Sequence, residues 1–99
     1  MNVSVNPADG SLTVMAEGRV DTTNSAEFQA ELEKAVPQTD TVILDCERLV
    51  YISSAGLRVL LFIHKAMDKK GGSLVLENVN DDIGEIFEIT GFSDILNIR

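Results

Sequence analysis

From Leu12 to Val20 apolar and polar residues alternate: Leu12, Val14, Ala16, Gly18 and Val20 share one face of an extended segment, and Thr13, Met15, Glu17 and Arg19 take the other. A period of two is that of a half-buried strand. Val3 and Val5 alternate in the same way upstream, and Asn6-Pro7-Ala8-Asp9-Gly10 between them is turn chemistry, so the first two strands are expected to form a hairpin. After Asp21-Thr22-Thr23 the period changes. A capping residue there precedes a segment in which Phe28, Leu32 and Ala35 recur at helical spacing, up to Pro37. Thr41 to Cys46 is a short, almost continuous apolar run, as in a central strand. A loop through Arg48 and Tyr51 is expected next, then a long helix from about Ser54 to Lys70, closed by Gly71-Gly72. Ser73 to Glu77 reads as a fourth strand. A short helix around Ile83 to Ile89 packs Ile83, Ile86 and Phe87, with Ile89 at the margin; it ends at Gly91, before a terminal strand Leu96-Asn97-Ile98. The order ββαβαβαβ, without repeat or linker, predicts one α/β domain over residues 1–99, with helices beside a mixed sheet.

Composition narrows the function. The 99 residues hold 8 Lys+Arg against 16 Asp+Glu, a net charge of −8. An acidic chain without a basic cluster repels phosphate backbones, which argues against direct nucleic-acid binding and for a protein partner. The longest charge-free stretch, Leu49 to Leu57, is far below the roughly 18 residues of a membrane span. The first ten residues lack a basic region followed by an apolar run, so a cytoplasmic location is the expectation. One cysteine and one histidine cannot supply the usual four ligands of a structural zinc site, and no metal or cofactor is expected.

On a wheel at 100° per residue, Leu57, Val59, Leu60, Ile63, His64 and Met67 of the long helix fill one broad arc that must face the sheet. Ser54, Arg58, Lys65 and Lys69 lie opposite, bordered by Leu61 and Phe62. Ser54 is thus the accessible hydroxyl and Ser53 points toward the loop or core. Helix capping is the competing role for Ser54, and on the pattern alone the favoured one. An esterase-like mechanism needs a base beside Ser54. His64 lies ten residues along the same helix, about 15 Å away and on the apolar arc, and reads as a core or boundary histidine with a satisfied ring nitrogen. Asp81, Asp82, Glu85 and Glu88 match no calcium loop and read as a solvated acidic face. Cys46 reads as a small buried residue. Phe62 is either a protein-contact hot spot or packed against the neighbouring helix.

The segment Leu49-Val50-Tyr51-Ile52-Ser53-Ser54-Ala55-Gly56-Leu57-Arg58-Val59-Leu60-Leu61 closely resembles the signature of the STAS domain, in particular that of the bacterial anti-sigma factor antagonists. Gly18-Arg19-Val20-Asp21 resembles the end of that family's second strand, and Ile43-Leu44-Asp45 and Gly71-Gly72-Ser73-Leu74 stand where its central strand and helix-to-strand turn are placed. The resemblance implies a mixed β-sheet with helices packed mainly on one face. It implies a partner that is both an anti-sigma factor and a serine kinase, bound by the unmodified chain so that the sigma factor is released. It also implies phosphorylation of Ser54 by that kinase, with a PP2C-type phosphatase to reset it. The chain, expected to act as a monomer, would then be no enzyme but an acceptor. Asp21, Thr22, Ser53, Ala55, Gly56, Arg58 and Phe62 are the implied partner-binding residues. The aspartate that usually precedes the phosphoserine is replaced by Ser53, which makes a second candidate hydroxyl. Asp21 borders the acceptor or serves as N-cap of the first helix. Gly56 allows close approach of a partner or packs the helix start. Arg58, an i,i+4 neighbour of Ser54, pairs with a phosphate there or is a solvated or partner-contacting residue. The alternative function is a STAS module that binds a protein or small ligand without being phosphorylated.

Overall fold

The computed structural model describes residues 2–8 and 10–99, and for Asn2 and Ala8 the backbone only. A hairpin of β1 (Asn2–Ala8) and β2 (Ser11–Val20) leads to α1 (Ser25–Ala35), a 3-10 turn over Val36–Gln38 and β3 (Thr41–Asp45). β4 (Leu49–Ile52), α2 (Ser54–Lys69), β5 (Ser73–Glu77), α3 (Asp81–Thr90), a second 3-10 turn (Phe92–Asp94) and β6 (Asn97–Ile98) follow. The sheet runs β1-β2-β3-β5-β6, with β1 antiparallel to β2 and the other pairs parallel. β4 stands off this path. It pairs in parallel with the last residues of β2, Gly18 to Val20, across a register shift between Gly18 and Arg19.

Alternation decides which face of the sheet is covered. Leu12, Val14, Ala16 and Val20 of β2, Val42 and Leu44 of β3, and Leu74 and Leu76 of β5 are buried, and they share one core with Phe28, Leu32 and Ala35 of α1, Leu57, Leu60, Ile63 and Met67 of α2, and Ile83 and Phe87 of α3. Their opposite neighbours Thr13, Met15, Thr41 and Ile43 are only half-buried. The helices therefore pack on one face, as the resemblance implies. At the end of α2 the N–H of Gly72 donates to the carbonyl of Met67 at 2.8 Å, and Gly71 adopts φ +84°, a left-handed cap that glycine makes without strain. Lys70 reaches from there to the carbonyls of Val36 and Thr39, at 2.7 and 2.9 Å, and ties the end of α2 to the end of α1.

Several expectations are corrected. Leu49 to Ile52, read as loop, is a strand: four residues are too few to show a period, and their pairing with β2 is a long-range contact. Asn6, Pro7 and Ala8, read as turn, belong to the strand, where they pair with Thr13, Leu12 and Ser11; Asp9 lies outside the described residues, and Gly10 has φ +77°. α3 begins at Asp81 rather than Ile83, since Asn80 caps it by accepting from the Ile83 N–H at 2.9 Å. Ile89 takes no part in the core and is 77% exposed. Leu96 is buried but precedes the final strand. His64 is half-buried, and its Nδ1 is buried without a hydrogen-bond partner among the described residues, contrary to the satisfied nitrogen expected. Cys46 is buried as expected, with its thiol pushed up to about 12 by burial and then by nearby Asp45, which makes it a poor nucleophile. Among the described residues no helix is long and apolar enough to cross a membrane, and no group of His, Cys, Asp and Glu could hold a metal ion.

Candidate functional site

The site forms where β2 and β4 end together. Val20 pairs with Ile52, and the N–H of Ser53 donates to the Val20 carbonyl at 2.8 Å, so one more residue of the crossing is held in sheet register. The chain then turns into α2. Ser53 is extended (φ −85°, ψ 175°), its Oγ accepts from the Gly56 N–H at 3.4 Å and its carbonyl from the Leu57 N–H at 2.9 Å. The cap of α2 is therefore Ser53 and not Ser54, which corrects the pattern-based preference. Ser54 is the first helical residue, exposed, and its hydroxyl has no hydrogen-bond partner among the described residues. Of two adjacent hydroxyls, one is engaged by the helix and the other stands free.

Gly56 makes this geometry possible. A Cβ on it would lie 2.6 Å from Ile52 Cγ1 and 2.8 Å from Val20 Cγ1. Only a residue without a side chain lets α2 start this close to the β2–β4 ends. Gly56 is buried, and it packs the helix start against the strand ends.

Asp21 continues β2 past Val20 and lies on the same side of the domain as Ser53 and Ser54. It does not cap α1: that helix starts at Ser25 behind Asn24, whose side chain accepts from the Asp21 N–H at 2.9 Å and donates to the Arg19 carbonyl at 2.8 Å. The Asp21 carboxylate accepts from the Thr23 hydroxyl at 2.6 Å and the Thr23 N–H at 2.9 Å, an Asx turn that shapes the loop. These two bonds, the hydroxyl's first, hold its pKa below the ordinary 3.8. Thr22, between them, is exposed.

Beside Ser54 a groove of about 450 Å³ runs between α1 and α2, lined by Ser25, Ala26, Gln29, Ala55, Arg58, Val59 and Phe62. It gathers three of the expected contact residues, Ala55, Arg58 and Phe62. Ser25, Ala26 and Gln29 were not foreseen: their part depends on α1 lying against α2, which no local pattern shows. Phe62 lines this groove and is 51% exposed. Arg58 is exposed and makes no ion pair among the described residues. On the strands behind, Arg19 stacks over the Tyr51 ring at 4.4 Å, across the register pair that joins β2 to β4. A hollow of about 320 Å³ lies at the far end of β2, lined by Ser11, Gln38, Thr39 and Asp40 among others.

Residues 2–99 match the family model of the STAS domain, and the chain belongs to that family. It is 38% identical over 99 residues to BtrV of Bordetella bronchiseptica, whose name assigns it provisionally to the anti-sigma factor antagonists; the match covers 99% of this chain and 85% of that protein. It is 30% identical over 98 residues to the anti-sigma-B factor antagonist of Bacillus subtilis, covering 99% of this chain and 90% of that one. Among solved structures it resembles the Bacillus cell fate determinant SpoIIAA in its phosphorylated form, with a TM-score of 0.74 and 18% identity over 99% of this chain and 91% of that one, a likeness of fold.

Two outcomes follow from this geometry. Ser53→Ala removes the cap of α2 and lowers unfolding free energy in urea by about 0.5–2 kcal/mol, whereas Ser54→Ala stays within about 0.5 kcal/mol of the parent. The Asp21 carboxyl titrates below 3.8 in an NMR pH series, and Thr23→Val moves it upward. Because the folded value is the lower one, its contribution to stability is full above the unfolded value and is lost as pH falls through the folded one.

Proposed function

We propose that this chain is an anti-sigma factor antagonist switched by phosphorylation of Ser54. In its unmodified form it binds an anti-sigma factor that is also a serine kinase, and the sigma factor is released. The Ser54 Oγ attacks the γ-phosphorus of Mg-ATP held by that kinase. The new O–P bond forms as the β–γ bridging bond breaks, ADP leaves, and the hydroxyl proton passes to a base of the kinase. A PP2C-type phosphatase hydrolyses the phosphoserine and restores the binding form. The chain supplies an acceptor and a surface, acts in the cytoplasm as a monomer, and catalyses nothing itself. The observation that carries this reading is the free, exposed hydroxyl of Ser54 at the first position of α2, next to a serine whose own hydroxyl is engaged as the cap.

The same position explains why modification spares the fold. A phosphoryl group adds about −1.5 to −2 charges, which the N–H groups and dipole of a helix start accommodate. The added charge therefore acts on the partner that faces it. In this reading Asp21, Thr22, Ala55, Arg58 and Phe62 supply contacts to the partner, while Ser53 and Gly56 set the path of the backbone. Arg58, one turn along α2, pairs with the phosphate once it is formed.

Incubation with Mg-ATP and the anti-sigma kinase of the source organism places phosphate on Ser54, read by site-resolved mass spectrometry, and Ser54→Ala abolishes it. Absence of phosphate with a kinase active on another substrate would turn the reading to a binding module that is not phosphorylated. In the phosphorylated chain, Arg58→Ala raises the second pKa of the phosphoserine in a phosphorus NMR titration; an unchanged value would remove the pairing.

A further inference from the structure

The cations of this acidic chain are unevenly engaged. Of the 8 Lys and Arg residues, Lys34 pairs with Glu31 at 3.1 Å, Arg48 with Glu17 at 3.3 Å and Arg99 with Glu77 at 2.6 Å. Lys70 is spent on the carbonyls of Val36 and Thr39, and Arg19 on the Tyr51 ring. The remaining three, Arg58, Lys65 and Lys69, have no such partner among the described residues, and all three are exposed on α2. At 100° per residue they fall with Ser54 and Phe62 in an arc of about 80°, along about 22 Å of helix. The apolar member of this stripe is the half-exposed Phe62. It links the groove beside Ser54 to a second, mainly apolar hollow of about 380 Å³ lined by Phe62, Lys65, Ala66 and Lys69.

We infer that this stripe docks an acidic amphipathic helix of the protein partner, with an apolar residue seated on Phe62 and carboxylates facing Arg58, Lys65 and Lys69. The charge pattern selects that occupant. In a chain of net charge −8, these three free cations are the place where an acidic surface is attracted rather than repelled. A groove between two helices suits a third, which presents anchors at i, i+4 and i+7. A phosphate backbone or an anionic membrane also seeks cations, but the charge of the whole chain opposes both. Phosphorylation of Ser54 adds negative charge at the head of the stripe and draws Arg58 away from the partner, so it opposes an acidic helix doubly. The identity of the helix's owner rests on the proposed function; the surface itself does not.

The test uses the full chain labelled with nitrogen-15 and a synthetic helix-forming peptide with leucines at i, i+4 and i+7 flanked by glutamates, beside a control in which every glutamate is lysine. The glutamate peptide shifts the amides of Ser54 to Lys69 and of Ser25 to Gln29. Its affinity falls about tenfold in the Lys65→Glu/Lys69→Glu double variant, and it falls on raising salt from about 0.05 to about 0.5 M. Phe62→Ala weakens it as well. Unshifted amides elsewhere show that the variants remain folded. Overturning results are no shift on α2 with the glutamate peptide, equal binding of the lysine peptide, or α2 shifts from phosphatidylglycerol vesicles or duplex DNA in place of the peptide. If the acidic helix fails while the kinase still phosphorylates Ser54, the proposed function stands and the stripe alone is lost. If Ser54 takes no phosphate while the peptide binds, the converse holds.

Discussion

The site depends on how tightly α2 is set against the ends of two parallel strands. β4 captures the last residues of β2, the Ser53 N–H extends that pairing by one residue to the Val20 carbonyl, and Gly56 removes the one side chain that would push the helix away from Val20 and Ile52. Everything local follows from that approach. With the backbone of Ser53 held in register, its side chain faces the first turn and caps it, and Ser54 necessarily turns outward. An added methyl group at Gly56 would force the helix start outward or displace two core side chains, and either change would disturb the serine pair together with the Asp21 turn.

The same constraint assigns separate tasks to groups that look alike in composition. Ser53 caps the helix, and the Ser54 hydroxyl is exposed without a partner among the described residues. The carboxylate of Asp21 is occupied by Thr23, so it shapes the loop before α1 instead of capping that helix. Five cations serve the fold or the surface of the chain itself, and those of α2 have no such partner among the described residues. Under the proposed function, a phosphate at this helix start, beside the exposed cations of α2, would alter what the surface attracts without altering the fold.

Much of this was legible in the sequence. The alternation of Leu12 to Val20, the apolar run of Thr41 to Cys46 and the helical spacing of Leu57, Leu60, Ile63 and Met67 identify the strands and helix that carry the core, because burial on one face leaves a period in the chain. The placement of Ser54 on the exposed side of α2 came from the same wheel. What escaped depends on contacts between distant residues. β4 is too short to have a period, and only β2 makes it a strand. The choice between Ser53 and Ser54 as cap turns on where the helix begins, and that is fixed by the Val20 carbonyl 33 positions upstream of Ser53. Asn24 and not Asp21 stands before α1, with the Asp21 carboxylate taken up by Thr23, and Ser25, Ala26 and Gln29 line the groove because α1 lies on α2.

The central claim is that charge on Ser54 controls partner binding. It is tested most directly by titration calorimetry of the anti-sigma kinase against two forms of the chain, one unmodified and one carrying phosphoserine at position 54 introduced during translation. The account predicts tight binding of the unmodified form and a loss of about a hundredfold or more on phosphorylation, with both forms equally folded. Equal affinity of the two forms would contradict it.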